Sequence, residues 1–99
     1  MATAANAVCR TLKIIELLAG RYFEGASTGE IAQAVKTSKA NASRDMAQLE
    51  KLGWARKLDN GRWSLTSKPL AITQSYHNHY NNLQARMAET TRNIMAAAR

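Results

Sequence analysis

The chain has 99 residues, 45% of them hydrophobic and 21% charged, which fits one folded domain and argues against wholesale disorder. Fourteen Lys and Arg against seven Asp and Glu leave a formal charge of +7, so a polyanion, nucleic acid first, is the expected partner. A lone cysteine excludes an internal disulfide and Cys-built metal clusters, no run of 18 apolar residues is present to span a membrane, and Arg10 and Lys13 interrupt any signal-peptide core, so a cytoplasmic location is expected.

A first helix is predicted over Ala7–Ala19. Asn6 is its N-cap, and Val8, Leu12, Ile15 and Leu18 recur on one face, widened by Ile14 and Leu17. Cys9 reads as a buried helix residue, and Gly20 as the glycine that ends the helix. Ser27-Thr28-Gly29-Glu30 has the form of a capping box, opening a short helix over Thr28–Lys36 that buries Ile31 and Val35. Ser38 is a second N-cap, and a helix over Lys39–Leu52 buries Ala42, Met46, Leu49 and Leu52 before Gly53 closes it.

The period then changes from helical to alternating. Trp54–Leu58 and Arg62–Thr66 read as two strands with Trp63 and Leu65 on one face. Asp59-Asn60-Gly61 between them supplies the left-handed positions of a tight hairpin. Trp54 and Trp63 read as packing residues rather than base-stacking platforms. From Pro69, which suits a first helical turn, to Ala98 there is no glycine or further proline, so one long final helix is expected. Its weakest stretch is Tyr76–Asn82, and Met95–Ala98 should fray.

The fold class that follows is mostly α with a small β-hairpin wing: a winged helix-turn-helix over residues 1–68, followed by a long C-terminal helix over 69–99. In such a fold the second helix of the pair enters the major groove. Its outward residues are Lys39, Ala40, Asn41, Ser43, Arg44 and, further on, Lys51. Asn can bond an adenine edge bidentately and Arg a guanine. Ala40 and Ser43 permit close approach. Lys57 to Arg62 form a basic wing tip for the backbone or minor groove. Lys51 and Arg56 read equally well as ordinary solvated charges.

Charge is placed accordingly. Residues 1–35 are neutral, with Arg10, Lys13 and Arg21 against Glu16, Glu24 and Glu30. Residues 36–62 carry Lys36, Lys39, Arg44, Lys51, Arg56, Lys57 and Arg62 against Asp45, Glu50 and Asp59, a balance of +4. A polyanion should dock there first.

These same segments resemble the isocitrate-lyase-regulator (IclR) family of bacterial transcription factors. The likeness is carried by residues 7–19, Ser27 to Val35, Ser38 to Arg44, Leu49 to Arg56, Asn60 to Leu65 and Pro69 to Ala71. It implies operator binding as a dimer, with DNA contacts from Ser38, Lys39, Asn41, Ser43 and Arg44 and a wing at Asn60, Gly61 and Arg62. Thr28, Lys36, Ala40 and Lys57 complete the candidate DNA-binding set. Two departures stand out. Too few residues follow the match for the family's effector domain, so no small-molecule effector is inferred. Asp45 also replaces a usual aliphatic residue, and would repel phosphate unless Arg44, Lys51 or another base pairs with it. Ser43 to Gly53 is similar as well to recognition helices of the deoxyribose-regulator family.

The final helix carries a heptad seam of Thr73, Tyr76, Tyr80, Leu83, Met87, Thr90 and Ile94. Tyr76, Tyr80, Leu83, Met87 and Ile94 are the candidate dimerisation residues of a homodimer. His77 and His79 point apart on a helix and have no acid or thiol nearby, so no metal or other cofactor is expected. No phosphate loop, carboxylate pair or nucleophilic triad is spaced to suggest an enzyme. The expectation is a sequence-specific regulator of double-stranded DNA. The alternatives are a low-specificity DNA-binding accessory protein and a winged-helix protein-protein adaptor.

Overall fold

The computed structural model describes residues 6–98. Its elements are α1 (Ala7–Ala19), α2 (Thr28–Ala34), α3 (Lys39–Lys51), β1 (Ala55–Lys57), β2 (Trp63–Leu65) and α4 (Lys68–Ala97). This is the winged helix-turn-helix with a long last helix. The chain divides into two compact units between Lys68 and Pro69.

Capping chemistry sets the helix starts. Asn6 accepts a bond from the Cys9 amide, and Ser38 accepts one from Asn41. At α2 the box is complete in both directions: Ser27 Oγ accepts from the Glu30 amide at 3.1 Å and Glu30 Oε1 from the Ser27 amide at 2.9 Å. Helix ends differ more from expectation. Gly20 caps α1 in ordinary right-handed geometry (φ −76°). The left-handed step falls instead at Gly25, φ +71°, where an added Cβ would lie 2.4 Å from the Trp63 carbonyl oxygen. Only glycine lets these two segments approach so closely.

α2 stops at Ala34 because Lys36, at φ +58°, turns the chain. The Thr37 amide donates to the Ala32 carbonyl and the Lys36 amide to Gln33, a Schellman closure. The same closure ends α3, with Gly53 at φ +83° and the Trp54 amide on the Leu49 carbonyl.

The core gathers Ile14 and Leu18 of α1, Ile31, Ala32 and Val35 around α2, Ala42, Met46 and Leu49 of α3, and Ala55, Trp63 and Leu65 of the hairpin. Three sequence readings are corrected here. The buried stripe of α1 runs through Ile14 and Leu18, with Ile15 and Leu17 partly covered, while Val8 and Leu12 are exposed. Cys9 is exposed rather than buried. Leu52 caps α3 in the open instead of packing under it. On α1 the covered face runs from Leu18 and Ile14 back over half-buried Thr11 and Arg10, so Val8, Cys9 and Leu12 fall on the other sides of the helix, while Leu52 stands at the open end of α3.

The strands pair antiparallel, Ala55 with Leu65, Arg56 with Ser64 and Lys57 with Trp63. Ala26 adds a third, one-residue bridge to Trp63 through two bonds of 2.8 and 2.9 Å. β2 is therefore central, and buried on both faces rather than one. Ser64, fully buried, donates its hydroxyl to the Tyr22 carbonyl at 2.6 Å. In the connecting turn only Gly61 (φ +84°) is left-handed; Asp59 and Asn60 are not.

α4 is helical straight through Tyr76–Asn82 and on to Ala97. Bonds from Gln74 to Asn78 and from Gln84 to Tyr80, each four residues apart, brace the weak stretch. None of its described residues is buried.

Candidate nucleic-acid interface

α3 begins with a Ser38 cap and presents Lys39, Ala40, Ser43 and Arg44 to solvent, with Asn41 half-buried behind them. Lys36 is exposed at the left-handed turn just before it. These residues share one surface. Ser38 belongs to that surface too, but its hydroxyl is occupied as the cap of Asn41.

Two neighbours missing from the sequence reading organise this face. Thr37 Oγ1 accepts a bond from Asn41 Nδ2 at 3.0 Å, and Arg44 Nη2 donates to Asn41 Oδ1. The four-residue spacing of Thr37 and Asn41 and the helix start at Lys39 were both visible in the sequence; that the Thr37 hydroxyl turns to accept from Asn41 was not. The second neighbour is Arg10. It meets Asp45 bidentately, Nε on Oδ2 and Nη2 on Oδ1 at 3.0 Å, with both side chains largely covered. The Asp45 partner is thus a base from α1, not Arg44 or Lys51. This hydrogen-bonded carboxylate pushes the Arg10 guanidinium above its ordinary range. It also leaves the exposed positive charge of α3 without a free acid in its first three turns up to Gln48.

The wing divides its residues between reaching out and holding on. Lys57 is exposed, its ammonium 5.3 Å from the centroid of the Trp63 ring. Asn60 and Gly61 form the exposed tip, where Asn60 Oδ1 accepts from the Arg62 amide at 3.0 Å. Arg62 turns inward. It donates to the Glu24 carbonyl at 3.1 Å, to the Gly25 carbonyl at 3.0 Å and to Glu30 Oε1 at 2.8 Å. Thr28 likewise faces the protein, accepting from Trp63 Nε1 at 3.1 Å. Trp63 is buried packing, as its sequence context suggested. Glu30 thereby serves the cap and the wing together. The Ser27 amide, then Arg62 and Arg21 (3.7 Å), hold its carboxyl below the usual range.

Among the described residues no group of three or more His, Cys, Asp or Glu is gathered that would hold a metal. No helix there is long and apolar enough to cross a membrane. The arrangement offers donors, cations and small side chains on the exposed face of α3, the chemistry of a polyanion reader.

Comparison with known proteins agrees. Among solved structures, a mutant of ZitR from Lactococcus lactis superposes with a TM-score of 0.54 at 19% identity, over 90% of this chain and 63% of that one. The likeness supports the fold, and the chain spans less than two thirds of that relative's length. No curated protein matches the sequence. The model of the IclR helix-turn-helix domain matches residues 7–59, over half of the chain. The chain therefore belongs to the IclR family, whose helix-turn-helix domain it carries over residues 7–59.

Proposed function

We propose that the protein is a sequence-specific, double-stranded-DNA-binding regulator that acts as a homodimer, with α3 in the major groove and the β1–β2 wing on the backbone or in the minor groove. The observation that carries this reading is the exposed face of α3. Lys36, Lys39, Ser43 and Arg44 stand on it around the small Ala40, and its one acid in that stretch, Asp45, is neutralised from behind by Arg10. Phosphate meets cations there and no free carboxylate.

Residues 1–68 supply the DNA-binding domain in this reading, and residues 69–99 the dimerisation helix. Lys57, Asn60 and Gly61 approach the DNA from the wing. Arg62 and Thr28 also fasten the wing: Arg62 ties it to the α2 cap through Glu30, and Thr28 accepts from Trp63 Nε1. Ser38 contributes through its cap and backbone. One recognition helix reads few base pairs, so two copies on a two-fold axis double the contacts and space half-sites by about one helical turn, roughly 34–36 Å. No cofactor is needed for any of this.

Selection of bound fragments from random duplex DNA tests the reading. One enriched, palindromic site is the expected result. Retention without enrichment would replace the regulator with a low-specificity accessory protein. No retention at physiological salt would leave the adaptor reading in its place.

A further inference from the structure

Asn41 and Arg44 are joined on the α3 face by a chain of bonds that has a direction. Arg44 Nη2 donates to Asn41 Oδ1, and Asn41 Nδ2 donates to Thr37 Oγ1 at 3.0 Å. An amide that reads an adenine edge must offer both its oxygen and its nitrogen to the base. Each end of Asn41 is tied to the protein by one bond, which fixes the plane and direction of the amide against the α3 face, and the residue is half-buried. Arg44 is in the opposite position. It is exposed, and the bond to Asn41 uses one of its five N–H donors, leaving the others for a guanine O6 and N7. The adjacent Asp45 would compete for that guanidinium, but Arg10 holds it.

We propose that Arg44 is the base-reading residue of α3 and that Asn41, fixed by Thr37, is the positioning residue that aims it. Thr37, Asn41 and Arg44 then specify one base pair, a guanine, as a single relay. The inference rests on the DNA-binding reading above and deepens it. Its advantage is entropic: a long guanidinium oriented before contact loses less freedom on binding.

The test compares base preference, position by position, in duplexes selected by the wild-type chain and by Arg44→Ala, Asn41→Ala, the double variant, Thr37→Val and Thr37→Ser. Helical circular dichroism confirms that each is folded. Arg44→Ala should lower discrimination at one guanine by roughly 5- to 140-fold. Asn41→Ala should relax that same position and no other. Because the residues act as a unit, the double variant should discriminate no worse than Arg44→Ala. Thr37→Val should weaken the same preference by a smaller factor, and Thr37→Ser, which keeps the hydroxyl, should restore it. Relaxation of a separate base pair by Asn41→Ala, with effects that multiply in the double variant, would overturn the relay while leaving the regulator intact. An unchanged preference in Thr37→Val would overturn it too. Absence of any enrichment by the wild type would overturn both the relay and the regulator.

Discussion

Lys36 holds a backbone conformation that a side chain disfavours, and it does so at the turn between α2 and α3. Glycine is the usual occupant of that Schellman position, as at Gly53. A non-glycine residue there costs about 1–2 kcal/mol, partly offset by the extra chain entropy that glycine loses on folding. Lys36→Gly should therefore stabilise the fold by about 0.5–1 kcal/mol in urea denaturation. If the ammonium meets a phosphate, the same variant should reduce the salt slope of DNA binding by about one unit. A stability gain with an unchanged slope would remove Lys36 from the interface. Glu30 offers a second residue-level test. Its carboxyl is held below its ordinary value, so its charged form is worth more folded than unfolded. That contribution is complete above the ordinary glutamate range and is lost as pH falls through the lowered folded value. Glu30→Gln should melt lower than wild type at neutral pH, and the gap should close on acidification below the ordinary glutamate range. A gap independent of pH would show that Arg62 and the cap do not depend on the charge.

At the scale of elements, the Arg10–Asp45 pair joins α1 to α3 over a separation of 35 residues. The fork geometry of guanidinium on carboxylate fixes direction as well as distance, so the pair sets how α3 lies on α1. It also hides an acid that would otherwise face phosphate. Arg10→Ala strands the Asp45 carboxylate, and leaving one partner of a covered pair is worse than removing both. The expected order of melting temperature and DNA affinity is wild type first, the double variant Arg10→Ala/Asp45→Asn next and Arg10→Ala last. Equal values for the single and double variants would mean that the charge of Asp45 is harmless. The hairpin is held in a similar way. Arg62 bonds the α1–α2 loop and Glu30, while the Ala26 bridge extends the sheet by one residue. Too short to be stable by itself, the wing is held in place by two segments, the α1–α2 loop and Glu30 of α2.

At the scale of the whole molecule, α4 is 30 residues long, about 45 Å of helix, with no described residue buried. Tyr76, Tyr80, Leu83, Met87 and Ile94 are exposed along one stripe, Met87 at 68% and Ile94 at 63%. An apolar seam that regular and that uncovered suits a second copy of the same helix. The proposed homodimer should sediment at twice the 10.9 kDa protomer mass. Met87→Asp, which would bury an unpaired charge in the seam, should sediment as a folded monomer and bind the selected duplex far more weakly. A variant that stays dimeric moves the contact to another exposed apolar face, that of Val8 and Leu12 on α1.

Local chemistry in the sequence was enough to determine most of the elements. The caps at Asn6, Ser27 and Ser38 mark helix starts because side-chain oxygens satisfy amides within three residues. The hairpin could be read from its alternation and from Gly61, since both are properties of adjacent residues. The residues outward on α3 followed from subtracting its buried stripe. What lies between elements followed no such rule. Nothing in the neighbourhood of Asp45 names Arg10 as its partner, and nothing near Arg62 says that it turns toward Glu30. Nor does the helical period of α1 say that the covered face is the one through Ile14 and Leu18, leaving Val8, Cys9 and Leu12 outside it. Periodicity gives the direction of a face, whereas burial and charge pairing depend on which other segments come to cover it. Only the tertiary structure decided that, through contacts between residues some 30 to 40 positions apart.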